Sequence, residues 1–220
     1  MKRLGSQLSF VFCVLLISFL TSGGCEIKFS SDDDDNNGGG GNGNGLTLIF
    51  GTLTDIDAST DVEGTIVRVE DEDSGVFFEG TVDANGDFEI EDSFSGSPSE
   101  LEFRDEPEPV PPIAETTITV FPGAEIDLGE VTITDRNIDF EDGIFVVLEG
   151  DIDENNCSND EGSIRVTEDD EEILVQIDST TDIIVDEDDI TCNDLLQGDR
   201  VEVRGNLVGT NIEAELVEVL

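Results

Sequence analysis

The chain contains no histidine, tryptophan or tyrosine, and only 9 of its 220 residues are lysine or arginine. Without histidine, imidazole-based nucleophilic catalysis and imidazole metal sites are excluded. Paired carboxylates are the one catalytic arrangement left, but among 55 acidic residues such pairs arise without any function. We therefore expect no enzyme activity. The formal charge of −46 also excludes a nucleic-acid binder that neutralises phosphates.

The single long apolar run, residues 8–20, follows the basic residues Lys2 and Arg3. It is too short for a membrane-spanning helix, which needs about 20 residues, and is therefore expected to be the core of an export signal. Small residues at 21–24 precede Cys25, and this pattern resembles the bacterial lipoprotein signal. The resemblance implies cleavage of a signal peptide at 1–24 and lipidation of Cys25. An ordinary secretory signal is the alternative, and it also predicts export.

Residues 25–45 carry the predicted lipidated cysteine and a tether composed mainly of Asp, Asn, Ser and Gly. Such a segment has almost nothing to bury and is expected to be a flexible coil. The predicted location is therefore the cell envelope, at the outer membrane, on the periplasmic side or the cell surface. The membrane, bound through the lipid anchor, is the one partner that can be specified from the sequence.

Four cysteines are present, and two remain for the folded part if Cys13 leaves with the signal and Cys25 takes lipid. In an exported chain, Cys157 and Cys192 are expected to form one disulfide. Two separately buried thiols are the alternative. Two cysteines alone are too few for a zinc site.

Residues 46–134 show short apolar–polar alternations separated by turn residues, as in β-strands. In one of them, Val67 and Val69 are expected to face the core while Arg68 and Glu70 face water. Asn85-Gly86 is expected in a tight turn between two strands. Seven strands predict a sandwich, at 46–53, 65–70, 76–82, 88–90, 101–103, 116–121 and 128–133.

Three segments of this region, at 51–55, 62–69 and 81–88, resemble the carboxypeptidase regulatory-domain-like sandwich. The resemblance implies a seven-stranded, prealbumin-like module, of a kind that is mostly non-catalytic and common on exported bacterial proteins. No functional residue is implied by it.

The remaining residues, 135–220, predict a second β unit. Its expected strands lie at 144–148, 163–167, 173–177, 181–185, 200–204 and 212–219. Residues 195–205, with the pattern L-x-x-G-D-x-V-x-V-x-G, resemble a turn of small OB-like barrels, and the segment is similar to an uncharacterised family of exported bacterial domains. The predicted fold class is therefore all-β, a prealbumin-like sandwich followed by an OB-like β-barrel. Because the barrel is acidic and lacks a basic, aromatic groove, we expect no nucleic-acid ligand.

Calcium is the one cofactor that the sequence suggests. Asp151, Asp153 and Asn155 start like an EF-hand loop, with oxygen ligands at alternate positions, but the glycine and the glutamate that complete such a loop are missing. Asp83, Asn85 and Asp87 repeat the spacing, and so in part do three acidic residues at 55, 57 and 61. For each set the favoured interpretation is a polar turn, and an irregular calcium site in a β-loop is the alternative.

The sequence thus predicts a non-enzymatic, lipid-anchored envelope or surface protein that acts as a binding or scaffold module for an unknown envelope or extracellular protein. A calcium-dependent adhesion or matrix module is the alternative.

Overall fold

The structure is a computed structural model, and it describes residues 45–220 except 60, 73, 95, 96, 108, 159, 169, 186 and 187. The predicted signal peptide, Cys25 and all of the predicted tether except Gly45 lie outside the described residues. Among those residues no helix is long and apolar enough to cross a membrane.

Eight strands form the first half of the described chain. They are β1 (Thr47–Ile56), β2 (Ile66–Asp71), β3 (Phe77–Thr81), β4 (Asp87–Asp92), β5 (Ser97–Arg104), β6 (Ala114–Val120), β7 (Glu125–Thr134) and β8 (Asn137–Phe140). The predicted turn with Asn85 and Gly86 connects β3 to β4, and Gly86 has the positive φ of 93° that favours glycine. The proline-rich residues 107–112 lie between β5 and β6, where no strand is described.

These strands build a sandwich of two sheets. Sheet 1 has the order β4-β1-β7-β8, with β1 and β7 parallel, and sheet 2 has the order β3-β2-β5-β6. The inward residues of both sheets alternate with outward polar ones, so that Val67 and Val69 are buried as expected. Phe88 of sheet 1 meets Phe103 of sheet 2 edge to face, with ring centroids 5.9 Å apart.

Seven strands and one short 3-10 helix follow. They are β9 (Phe145–Asn155), β10 (Gly162–Glu168), β11 (Glu171–Ile177), β12 (Asp182–Val185), β13 (Asp188–Asp189), the 3-10 helix Cys192–Asp194, β14 (Arg200–Val208) and β15 (Asn211–Val219).

Five of these strands close a barrel in the order β9-β10-β11-β15-β14, and β14 returns to pair with β9. All neighbours are antiparallel except β11 and β15, which are parallel. Val201 and Val203 of β14 point into its core, as the alternation predicts. The predicted fold class, an all-β sandwich followed by an OB-like barrel, is confirmed.

Sheet 1 continues into the barrel because Glu125–Asp127 of β7 pairs with Phe145–Val147 of β9. The described residues from 45 to 220 accordingly form one compact unit. The predicted domain boundary, between residues 134 and 135, falls in the turn between β7 and β8. The strand β8 was not predicted from the sequence. Separate folding of the two halves stays a prediction.

Arg68 was expected to face water, and this expectation is wrong. Its side chain lies on the outer face of sheet 2, yet the residue is only 5% exposed. The Phe77 ring covers the guanidinium group, whose carbon lies 3.7 Å from the ring centre, and Arg68 Nη2 donates to Glu70 Oε2 at 2.7 Å. The long side chain is thus buried by its neighbours on the same face of the sheet.

Candidate functional site

A groove of about 700 Å³ lies on the outer face of sheet 1. We call it the acidic groove, and its floor and walls are formed by side chains of β4, β1 and β7: Phe50, Thr52, Asp87, Glu89, Asp127 and Glu130. Its volume falls in the range of ligand sites in proteins.

Strand pairing arranges these six side chains in two rows across the sheet. Phe50 pairs with Glu89 on one side and with Asp127 on the other. The next outward residue of β1, Thr52, pairs with Asp87 and Glu130. Because neighbouring strands lie about 4.8 Å apart, each row has one carboxylate residue on either side of the residue from β1.

A β-bulge in β7 shapes the floor of the groove. The register shifts by one residue between the two rows, and Gly129, with φ of 61°, lies at the shift. Its N–H donates to Asp127 Oδ1 at 2.8 Å. Glycine suits this position because a side chain is strained at positive φ.

The β3–β4 turn supplies Asp83 at the rim. Its Oδ1 accepts the N–H groups of Asn85 at 2.7 Å and of Asp87 at 3.0 Å. The hydrogen bond from the Asn85 N–H, followed by that from the Asp87 N–H, lowers the pKa of Asp83. This carboxylate therefore keeps its negative charge at a lower pH than an ordinary aspartate does. Asp83 and Asn85 therefore stabilise the turn. This geometry supports their interpretation as a polar turn over that as calcium ligands.

The groove offers carboxylates that the chain itself leaves unused. Within the described residues, the side chains of Glu89, Glu130 and Asp142 have no hydrogen bond or ion pair, and no basic residue lines the groove. The barrel differs, because Arg165, Arg200 and Arg204 each pair with acidic neighbours there. The groove is therefore a surface of uncompensated negative charge.

The structure places Asp151, Asp153 and Asn155 on the extended strand β9 rather than in a loop. Alternate residues of a strand are about 7 Å apart, wider than the ligand shell of one ion. The amide of Asn155 is moreover occupied: its Nδ2 donates to the carbonyls of Cys192 at 3.0 Å and Leu195 at 2.7 Å. Its Oδ1 accepts the N–H of Cys157 at 2.8 Å. Calcium binding at these residues stays a prediction without geometric support.

A pair of variants separates the two roles of this segment. Asn155→Ala removes three hydrogen bonds and is expected to lower the free energy of unfolding by about 2 kcal/mol with or without calcium. Asp153→Ala, at an exposed position of the same strand, is the matched control and should change it by less than about 0.5 kcal/mol. Calorimetric melting of the full chain in calcium and in chelator measures both. A calcium-dependent stabilisation that both variants abolish would show that the residues are ligands.

Glu100, Glu102 and Glu115 on sheet 2 form the one group of three carboxylates, within the described residues, whose oxygens lie within 4.8 Å of one another. Burial, followed by repulsion from Glu102 and Glu115, raises the pKa of Glu100. Glu102 is already paired, with Arg104 Nη1 at 2.6 Å and Arg68 Nε at 3.6 Å. The two guanidinium groups repel any metal ion at this cluster.

Cys157 and Cys192 are joined in a disulfide, as expected, with their Cα atoms 5.7 Å apart. The bond connects the chain just after β9 to the 3-10 helix. Asn193 Nδ2 donates to Asp160 Oδ1 at 2.9 Å nearby, so the same two segments are also held by side chains.

The sequence predictions missed Phe50, Glu89 and Asp127, which lie far apart in the chain. No protein-family model, no curated protein and no solved structure matches this chain. The resemblances to the lipoprotein signal, to the regulatory-domain sandwich and to the family of exported barrels stay predictions.

Proposed function

We propose that the protein is a non-enzymatic binding module of the cell envelope, anchored through a lipid on Cys25, and that the acidic groove is its binding surface. The observation that supports the binding role is the groove itself, an open sheet face on which the carboxylates of Glu89, Glu130 and Asp142 form no hydrogen bond or ion pair within the described residues.

The anchor is tested with the full chain expressed in a bacterium that processes lipoproteins. We expect the wild type in the membrane fraction, with an intact mass that shows acyl groups on a chain beginning at Cys25. Cys25→Ser should be released from the membrane fraction, because the variant has no cysteine to carry the lipid that anchors the chain. An unmodified mature mass, or equal membrane binding of the variant, would contradict the anchor.

The binding role is tested separately, by a photo-crosslinking residue placed at Thr81 on the groove rim or at Glu213 on the barrel. An adduct specific to Thr81 supports the groove as the binding surface, whereas equal patterns from both positions contradict it.

The calcium-dependent alternative has one observation in its favour, the three-carboxylate cluster on sheet 2. Arg68 and Arg104 beside Glu102 oppose it. Loss of partner crosslinking in chelator would select this alternative over a calcium-independent module.

A further inference from the structure

The first row of the acidic groove resembles an arrangement that this chain fills elsewhere with its own arginine. On sheet 2, the guanidinium of Arg68 stacks 3.7 Å from the centre of the Phe77 ring. Carboxylate oxygens of Glu70, at 2.7 Å, and Glu102, at 3.6 Å, bind its nitrogens. One phenyl ring and two glutamates thus hold one guanidinium on an outer sheet face.

The groove presents the same chemical groups without a basic residue. Phe50 lies in the middle of the row, half-buried, and Glu89 and Asp127 flank it. The Glu89 carboxylate has no partner in the described chain, and only one Asp127 oxygen accepts a hydrogen bond, from Gly129. A planar cation above the ring could therefore contact a carboxylate on each side.

The spacing of the carboxylates favours a long ligand over a single ion. No three groove carboxylates have oxygens within 4.8 Å of one another, since only the sheet 2 cluster meets that distance among the described residues. The second row, with Asp87 and Glu130, repeats the charge pattern about 7 Å along the strands. An extended peptide repeats its side chains with the same period of two residues, so successive cations on one of its faces match successive rows.

We propose that the acidic groove binds an extended, arginine-containing segment of a partner protein, with one guanidinium stacked on Phe50 between Glu89 and Asp127. This proposal rests on the binding role proposed above and adds the chemistry of the partner. Arginine suits the site better than lysine because its planar group stacks on an aromatic ring and also donates to carboxylates at its edges.

The probe is a synthetic peptide in which arginine alternates with serine, titrated into the full chain at about 0.15 M NaCl. We expect the double variant Glu89→Gln and Asp127→Asn to weaken binding by about 10-fold, because two ion pairs are lost. The double variant Glu213→Gln and Asp153→Asn removes the same charge from exposed positions of the barrel and should change the affinity by less than about 2-fold.

Two further measurements test the stacking. Phe50→Leu keeps an apolar side chain but no aromatic ring and should weaken the arginine peptide by about 3-fold. A peptide with lysine in place of arginine should bind the wild type more weakly and lose less on this substitution. If Phe50→Leu disturbs folding, the comparison of the two peptides on the wild type still tests the stacking, and Thr52→Arg tests the groove itself. That variant places a cation between Asp87 and Glu130 and should abolish peptide binding.

Equal losses from the groove and barrel double variants would overturn the proposal, because the attraction would then be diffuse. Equal binding of the arginine and lysine peptides would overturn the stacking on Phe50. Saturable displacement of the peptide by calcium at constant ionic strength would indicate a cation site and overturn it too. A specific crosslink from Thr81 in cells, together with no peptide binding, would leave the binding role in place and refute only the arginine partner.

Discussion

Removal of the Cys157–Cys192 disulfide is expected to lower the free energy of unfolding by about 4 kcal/mol. The two cysteines are 35 residues apart in sequence, and the bond closes a loop that contains β10, β11, β12 and β13. The closed loop lowers the conformational entropy of the unfolded chain. Removing the disulfide restores this entropy and therefore favours unfolding. The Asn155 hydrogen bonds join the same two segments, so they are expected to weaken as well.

The measurement is calorimetric melting of the Cys157→Ser and Cys192→Ser double variant, since a chain without tryptophan or tyrosine gives little intrinsic fluorescence. Wild type with and without reductant is the control for the substitution itself. Hydrogen exchange adds the location: if the two predicted domains fold separately, protection falls in the barrel and persists in the sandwich. A uniform loss would show that the β7–β9 pairing makes the halves cooperative. Rapid alkylation of both cysteines without reductant would contradict the disulfide.

Strand positions and inward-facing residues could be predicted from the sequence because they depend on local alternation. Val67 with Val69, and Val201 with Val203, alternate with charged residues, and all four valines are buried. The Asn85-Gly86 turn was likewise a local signal. The predicted EF-hand-like start at Asp151 instead continues β9, because Ile152 alternates into the barrel core while its acidic neighbours point outward.

The acidic groove could not be predicted because it depends on which strands become neighbours. Phe50, Glu89 and Asp127 are brought together by β1, which pairs antiparallel with β4 and parallel with β7. Each residue alone is an ordinary outward position of an alternating strand. Burial of Arg68 was missed for the same reason, since Phe77 and Glu102 come from the strands on either side of β2.

Sodium chloride is expected to raise the melting temperature of the protein by about 5 °C or more between low salt and 1 M. Cleavage before Cys25 would remove Lys2 and Arg3 from the 9 basic residues, leaving 7 against 55 acidic ones and a formal charge of −48. Folding concentrates these carboxylates, and their mutual repulsion opposes the compact state. Salt screens exposed charges over distances of about 10 Å at 0.1 M, so it should relieve this repulsion.

A fall in pH from neutral should also stabilise the protein, but only over a limited pH range. Burial and repulsion raise the pKa of Glu100 in the folded state, so its favourable contribution is present below the usual glutamate value of 4.5 and is lost as the pH rises through the folded pKa. Hydrogen bonds lower the pKa values of Asp83, Asp178 and Asp194. Their contributions are present above 3.8, the usual aspartate value, and are lost as the pH falls through the lowered pKa.

Stability is therefore expected to increase as the pH falls from neutral toward about 4.5 and to decrease below about 3.8. Melting temperatures measured against pH at low salt, and again in 1 M NaCl, test both parts of this prediction, because screening should flatten the rise between neutral pH and 4.5. Millimolar calcium at constant ionic strength is the control for discrete sites: a saturable further rise would mean specific binding instead of screening. A melting temperature that is flat or falling in NaCl would refute the repulsion argument, because salt must stabilise the folded state if repulsion among its carboxylates opposes folding.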